Sequence, residues 1–377
     1  MLLRRGNRAA DPPSRSSSKR ISDCDDPSAR FLVHRHQHGP VVRLEPVGIA
    51  DTIITPRTGG HGCASSFPVT RRAHPAGHPS YGENILLFLE ERKPDVEQTR
   101  RSRTIEIPAI MRALHQAIDG DPKILLDPIA PRLIDADEDQ AWLAPLLDHP
   151  FAKQWRAGFA LRARYAEDAL AEAVQRGVGQ YVILGAGLDT FAYRQPTWAS
   201  ELTIYEVDHP VTQLLKKDRL NAADIAIPAN LRFVPIDFER TSVAEAIRGS
   251  GFSFGTATVC SWMGVTQYLT KDALEATFRF VLSLPPPTEI VFSFILPQEA
   301  VSGLETEALV LAAQRSAGVG EPWLTRFYPE ELAAKLGAMG FSRLVHLTPE
   351  EARRRYFDNR TDGLRERHGE QLMRAMV

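Results

Sequence analysis

No stretch of this chain approaches the roughly 20 consecutive apolar residues that a membrane-spanning helix requires, so a hydrophobic anchor of that kind is not expected. Cysteine is scarce. Cys24, Cys63 and Cys260 lie far apart, form no C-x-x-C pair and leave an odd count, which excludes a disulfide framework or a zinc knuckle and suits a reducing cytoplasm. Excess charge of one sign is missing as well. A formal net charge of −2 gives no overall electrostatic case for a nucleic-acid or anionic-membrane partner. Internal repeats are absent, and Gly6–Arg30, which follows a basic start, lacks the apolar centre of a secretion signal.

What is present is a chain of 377 residues with 43% hydrophobic content, ample for a large core, and two regions of different character. Residues 1–80 are rich in Arg, Ser, Pro, Gly and His and offer only short apolar runs, so they are expected to form a disordered or loosely attached tail. His34, His36 and His38 alternate, which on a strand would put three imidazoles on one side; a solvated polar segment is the plainer account. Glu83–Glu91 reads as a short helix. Residues 81–176 are expected to form a helical cap. Within it Ile107, Ile110, Met111, Leu114 and Ile118 recur at helical spacing, and Phe151–Arg176 reads as one helix ending at Gly177.

Residues 177–377 are expected to form the core. An apolar burst at Tyr181–Leu184 runs into Gly185-Ala186-Gly187, and a second burst, Leu202–Val207, ends on Asp208 about twenty residues after the glycines. That order predicts strand, glycine turn, helix, strand, acid. Glycine lets the backbone turn sharply against a ligand, and a carboxylate at the next strand's tip can accept hydrogen bonds from ribose hydroxyls. A dinucleotide fingerprint would place a third glycine where Thr190 stands, which disfavours a pyrophosphate and suits S-adenosylmethionine, a nucleoside without phosphate. An ordinary α/β turn with an incidental acid is the bland alternative.

The run LGAGLDTFAYR at Leu184–Arg194, with EVDHP at Glu206–Pro210, resembles the leucine carboxyl methyltransferase family, including its bacterial S-adenosylmethionine-dependent branch. The resemblance extends over roughly Ser102–Val377 and implies a Rossmann-like class I methyltransferase: an α/β fold with a seven-stranded, mostly parallel sheet, helices on both faces and a helical N-terminal cap. It implies S-adenosyl-L-methionine as cofactor; the acceptor does not follow from the family, and O-methylation of a small molecule or carboxylate is the expectation. It places a cofactor-carboxylate arginine near Arg162 and Arg164, with Arg164 the first choice; the two point in different directions on a helix, so one alone reaches a pocket. In the family the equivalents of Asp237 and Phe238 hold and cover the adenine, although without the resemblance helix capping is the better explanation of Asp237. Met263 stands where many relatives carry a glutamate, whereas Tyr268 is retained as a candidate catalytic group. Gly185, Ala186, Gly187 and Asp208 complete the expected cofactor site.

The remaining chain reads as elements around this site. Val211–Leu220 is a helix with a solvated basic face at Lys216, Lys217 and Arg219, and His209 is oriented by Pro210 and the strand end. Strands are expected at Leu231–Ile236, Gly255–Trp262, Glu289–Leu296 and Arg343–Leu347, with a final edge strand at the C-terminus. Cys260 reads as an inert core thiol. Helices are expected at Lys271–Leu284, capped by Thr270, and at Glu299–Ser316, with another stopping at Gly340. Trp323 and Phe327 either line an acceptor pocket or pack in the core. The rivals are a nicotinamide-dependent oxidoreductase, disfavoured by Thr190, and a catalytically inactive nucleoside-binding protein of methyltransferase fold.

Overall fold

The structure, a computed structural model, describes residues 32–36, 39–43, 96–134 and 148–377. The chain divides into two compact units, Met1–Thr70 and Arg71–Val377. In the first, Leu32–His36 and Gly39–Arg43 pair antiparallel, with Leu32 opposite Arg43 and His36 opposite Gly39. His34 and His36 share that first strand; His38, the rest of the expected tail and the expected helix at Glu83–Glu91 lie outside the described residues.

The second unit is built on seven strands: β1 Gln180–Leu184, β2 Thr203–Asp208, β3 Leu231–Pro235, β4 Thr258–Trp262, β5 Glu289–Ile295, β6 Arg343–Leu347 and β7 Glu370–Met376. Their order across the sheet is β3-β2-β1-β4-β5-β7-β6. The first five pair parallel, and β7 runs antiparallel to both neighbours, β5 and β6. β7 therefore lies inside the sheet. The expected edge position is corrected, and β6 is the edge, because β7 pairs along its whole length with β5 and fills the gap beside it.

Among the described residues, the six longer helices are α1 Val96–Ile118, α2 Ala152–Gln175, α3 Pro210–Ala222, α4 Lys271–Leu282, α5 Leu304–Gly318 and α6 Pro329–Met339. Period-two alternation assigns the faces of the central strands. Tyr181 and Ile183 pack with Leu170 and Ala173 of α2, while Val182 and Leu184 join Cys260, Trp262, Phe278, Phe292 and Leu336 on the other face. Both faces are thus covered, which is why β1 and β5 read as nearly continuous apolar runs. Phe278 meets Trp262, Phe292 and Phe341 edge to face at 5.6, 5.3 and 6.0 Å, contacts worth about 0.5–1.5 kcal/mol each beyond their buried area. Phe327 packs against this core rather than the site.

Local caps explain several boundaries. Thr270 accepts from the Ala273 N–H to open α4, and Gly340, at φ +119°, closes α6. α5 starts at Leu304, later than the pattern predicts, because Gly303 turns the chain at φ +63° after a short turn at Gln298–Ala300. The basic face expected on α3 is also corrected. Lys216 is buried, with Nζ 2.7 Å from Glu206 Oε2 in the middle of β2, since a carboxylate enclosed there requires a counter-ion. Among the described residues, no helix is long and apolar enough to cross a membrane.

Candidate functional site

Strands β2 and β4 flank β1 on opposite sides, so the connections leave β1 and β4 in different directions and open a crevice at their carboxyl ends. A cavity of about 930 Å³ occupies that crevice. Its floor is the glycine turn. Gly185 and Gly187 adopt φ +64° and +46°, and a Cβ on Gly185 would stand 2.3 Å from Val265 Cγ2, so only glycine lets the turn pass this close to the Val265 side chain.

No α-helix follows the turn. The expected helix is replaced by short turns at Phe191–Tyr193 and Thr197–Ala199, so the helix N-terminus that would hold a pyrophosphate is missing at this point. Thr190 shows why. Its hydroxyl donates to the buried Asp127 carboxylate at 2.7 Å, and Arg194 Nε donates to the same hydroxyl at 3.0 Å. Arg112 Nε donates to Asp127 at 3.0 Å, and its Nη2 donates to the Leu188 carbonyl at 2.7 Å. Arg194 in turn pairs with Glu167. The cap is thereby tied to the glycine loop by ionic bonds that no local pattern announces. Burial favours the neutral acid at Asp127, but the Arg112 and Arg194 guanidiniums outweigh it and hold the carboxyl below its ordinary range.

Asp208 ends β2 beside the turn. Its Oδ2 accepts from Gly187 N at 2.5 Å and its Oδ1 from His209 N at 2.6 Å, so the carboxylate fixes the loop it faces. Burial raises its pKa, partly countered by those two amides. His209 Nδ1 accepts from Val211 N at 3.3 Å and so caps α3. At the tip of β3, Asp237 and Phe238 line the cavity. Asp237 Oδ1 also accepts from Glu239 N at 3.1 Å, a local turn bond with no α-helix directly behind it.

Of the two arginines, Arg162 lines the cavity and Arg164 does not, which corrects the first choice. Arg164 is 44% exposed and turns to Asp168 at 2.7 Å, one helical turn along α2. Arg162 is enclosed: its guanidinium lies 4.5 Å from the Phe159 ring centre, and Nη1 donates to Glu370 Oε1 at 3.1 Å. A Cβ on Gly264 would fall 2.5 Å from Nη1, so the glycine after Met263 admits the guanidinium. The remaining Arg162 donors make no hydrogen bond among the described residues. Arg367 Nη1 reaches the same glutamate at 2.9 Å. Two cations share one carboxylate, leaving a positive charge on this wall; desolvation lowers the Arg162 pKa while Glu370 opposes that shift.

Met263 lines the cavity and packs against the cluster containing Leu161 and Tyr165, placing a thioether where many relatives are expected to carry a carboxylate. Tyr268 also lines the cavity, and burial raises its phenol pKa. Trp323 lines it too, together with Met111, Trp155 and Phe159. Arg112, Asp127, Arg194, Glu370 and Arg367 went unread in the sequence. The one local signal was an acid, Asp127, among apolar residues in the segment KILLDPIAP.

The leucine carboxyl methyltransferase family model matches residues 105–282. YktD of Bacillus subtilis, named as an S-adenosyl-L-methionine-dependent methyltransferase, is 36% identical over 204 residues, covering 54% of this chain and 67% of its own length. A protein of Mycolicibacterium paratuberculosis with the same activity in its name is 31% identical over 223 residues, 55% of this chain and 80% of its own. A crystal structure of a DUF574 family protein from Streptomyces avermitilis aligns with TM-score 0.49 at 17% identity, over 72% of this chain and 96% of that one.

Proposed function

We propose that this chain, which belongs to the leucine carboxyl methyltransferase family and is an S-adenosyl-L-methionine-dependent methyltransferase, methylates an oxygen of a small-molecule or carboxylate acceptor. The observation that carries the site assignment is the crevice beside β1, where the Gly185-Ala186-Gly187 turn, Asp208 and Arg162 line one cavity.

The residues fit the cofactor chemically. Each Asp208 oxygen has a lone pair beyond the one used by Gly187 or His209, and these would accept ribose hydroxyls. Asp237 and Phe238 would hold and cover the adenine. Arg162, with donors unused and a net positive wall behind it, would take the amino-acid carboxylate. When bound, the sulfonium supplies an already electrophilic methyl group.

The chain's own residues then have to position an acceptor and exclude water. Trp155, Phe159, Met111 and Trp323 supply apolar wall for the second task. A carboxylate acceptor needs no base at neutral pH; a hydroxyl acceptor would lose its proton to solvent, with Tyr268, a phenol kept protonated by burial, orienting the hydroxyl rather than taking that proton. The acceptor atom is tested by transferring labelled methyl from S-adenosylmethionine to a metabolite extract. Label in base-labile esters or base-stable ethers supports oxygen as the acceptor; label on nitrogen or carbon alone overturns it.

A further inference from the structure

The chain just ahead of β7 brings a second arginine, Arg367, to the wall that holds Arg162. Its segment is fixed on both sides: His368 N and Gly369 N donate to Glu305 Oε1 at 2.8 and 2.7 Å, and Leu296 N donates to the Gly369 carbonyl at 2.9 Å. The room for its side chain is built into α2. A Cβ on Gly158 would stand 2.3 Å from Arg367 Cδ and 3.0 Å from Nη1, so a residue that weakens a helix interior is placed where it admits the arginine. Gly264 admits the Arg162 guanidinium in the same way. The two cations then lie 4.5 and 5.8 Å from the centre of one ring, Phe159.

Both arginines meet at Glu370, one on each carboxylate oxygen, and the side chains of Arg162, Arg367 and Glu370 are only 11%, 9% and 7% exposed. Burial raises the Glu370 pKa, but the charges of Arg162 and Arg367 and a hydrogen bond from Ser293 outweigh it and keep the group ionised. Charge in such an enclosed place is weakly screened, so its sign decides what can approach. Arg162 and Glu370 alone would form a closed pair, and an incoming carboxylate would meet the negative charge of Glu370 at close range. Arg367 changes that balance: two cations and one anion leave a net positive charge on the wall.

We propose that Arg367 is a positioning residue for the cofactor: by binding the second oxygen of Glu370 it keeps Arg162 open to the amino-acid carboxylate, and so selects nucleosides that carry that group. Its Nη1 is engaged by Glu370 and its Nε is buried, so its charge acts through Glu370 rather than by touching the ligand. Arg367 and Glu370 both fall outside residues 105–282, the part matched by the family model. The proposal rests on the reading that Arg162 meets the cofactor carboxylate.

The test is a charge-restoring cycle, read by calorimetric titration of the full chain with S-adenosylhomocysteine and with its decarboxylated analogue. The wild type should prefer S-adenosylhomocysteine by at least about tenfold. Arg367→Met should cut that preference about tenfold, and Arg367→Lys, which keeps the charge, should hold it within about threefold of the wild type. The double variant Arg367→Met with Glu370→Gln again leaves one net positive charge and should regain the preference to within about threefold. A merely structural role would weaken both nucleosides alike and leave the preference where it was. An unchanged preference in Arg367→Met, or a double variant no better than Arg367→Met, would overturn the proposal while the cofactor reading stands. If the double variant does not melt cooperatively, Arg367→Lys decides, and a loss equal to that of Arg367→Met overturns the proposal. A wild type that binds neither nucleoside removes the cofactor reading and the proposal with it.

Discussion

Asp127 shows how a single residue can hold the site together from outside it. Enclosed by Arg112, Arg194 and Thr190, its carboxylate joins the cap to the loop that carries Gly187. Replacing Asp127 by Asn leaves two arginines facing a neutral amide and should lower the unfolding free energy at pH 7 by about 3–5 kcal/mol in urea denaturation. The sign of the pH dependence follows from its depressed pKa. The stabilisation is complete above the ordinary value of 3.8 and disappears as pH falls through the lower folded value, so the gap between wild type and variant should close in acid. A loss below about 1 kcal/mol, or a gap independent of pH, would show that the contact is incidental. Sequence reading reached Gly185, Gly187 and Asp208 because strand, turn and acid are consecutive in the chain. It missed Asp127 and placed Lys216 in solvent because the partners of both residues, Thr190 and Glu206, come from other elements. Arg164 was preferred over Arg162 for a related reason: the deciding contact, Glu370, lies at the other end of the chain.

Among elements, β7 departs most from expectation. A last strand is easily read as an edge, since local pattern states that a strand exists but not which neighbours it has. Here all seven residues of β7 pair with β5, and five of them pair with β6. The same strand supplies Glu370 to the arginine wall, while Arg374 pairs with the buried Glu289 at 2.9 Å. Ending the chain after Gly369 would therefore bare the buried strand β5 and remove the counter-charge of Arg162. We expect that protein to be insoluble or to lack cooperative thermal unfolding. A soluble product melting within a few degrees of the full chain would mean that β7 is dispensable. The helix expected behind the glycine turn fails for a reason at this same scale: buried bonds at Thr190 occupy the residues that would have begun it.

For the whole molecule, the α/β class, the seven strands and the covered faces were legible because short, nearly continuous apolar runs bounded by turn residues identify strands buried on both sides. The cavity itself was not, since its walls come from α1, α2, the strand ends, α5 and the C-terminal segment at once. Their joint arrangement makes one claim: the crevice beside β1 takes a sulfonium nucleoside and not a dinucleotide. Isothermal titration calorimetry of the full chain tests it directly. S-adenosylmethionine and S-adenosylhomocysteine should bind while NAD does not, and Asp208→Ala should weaken both nucleosides by about 1–3 kcal/mol. Binding of NAD without either nucleoside, or an unchanged affinity in Asp208→Ala, would contradict it.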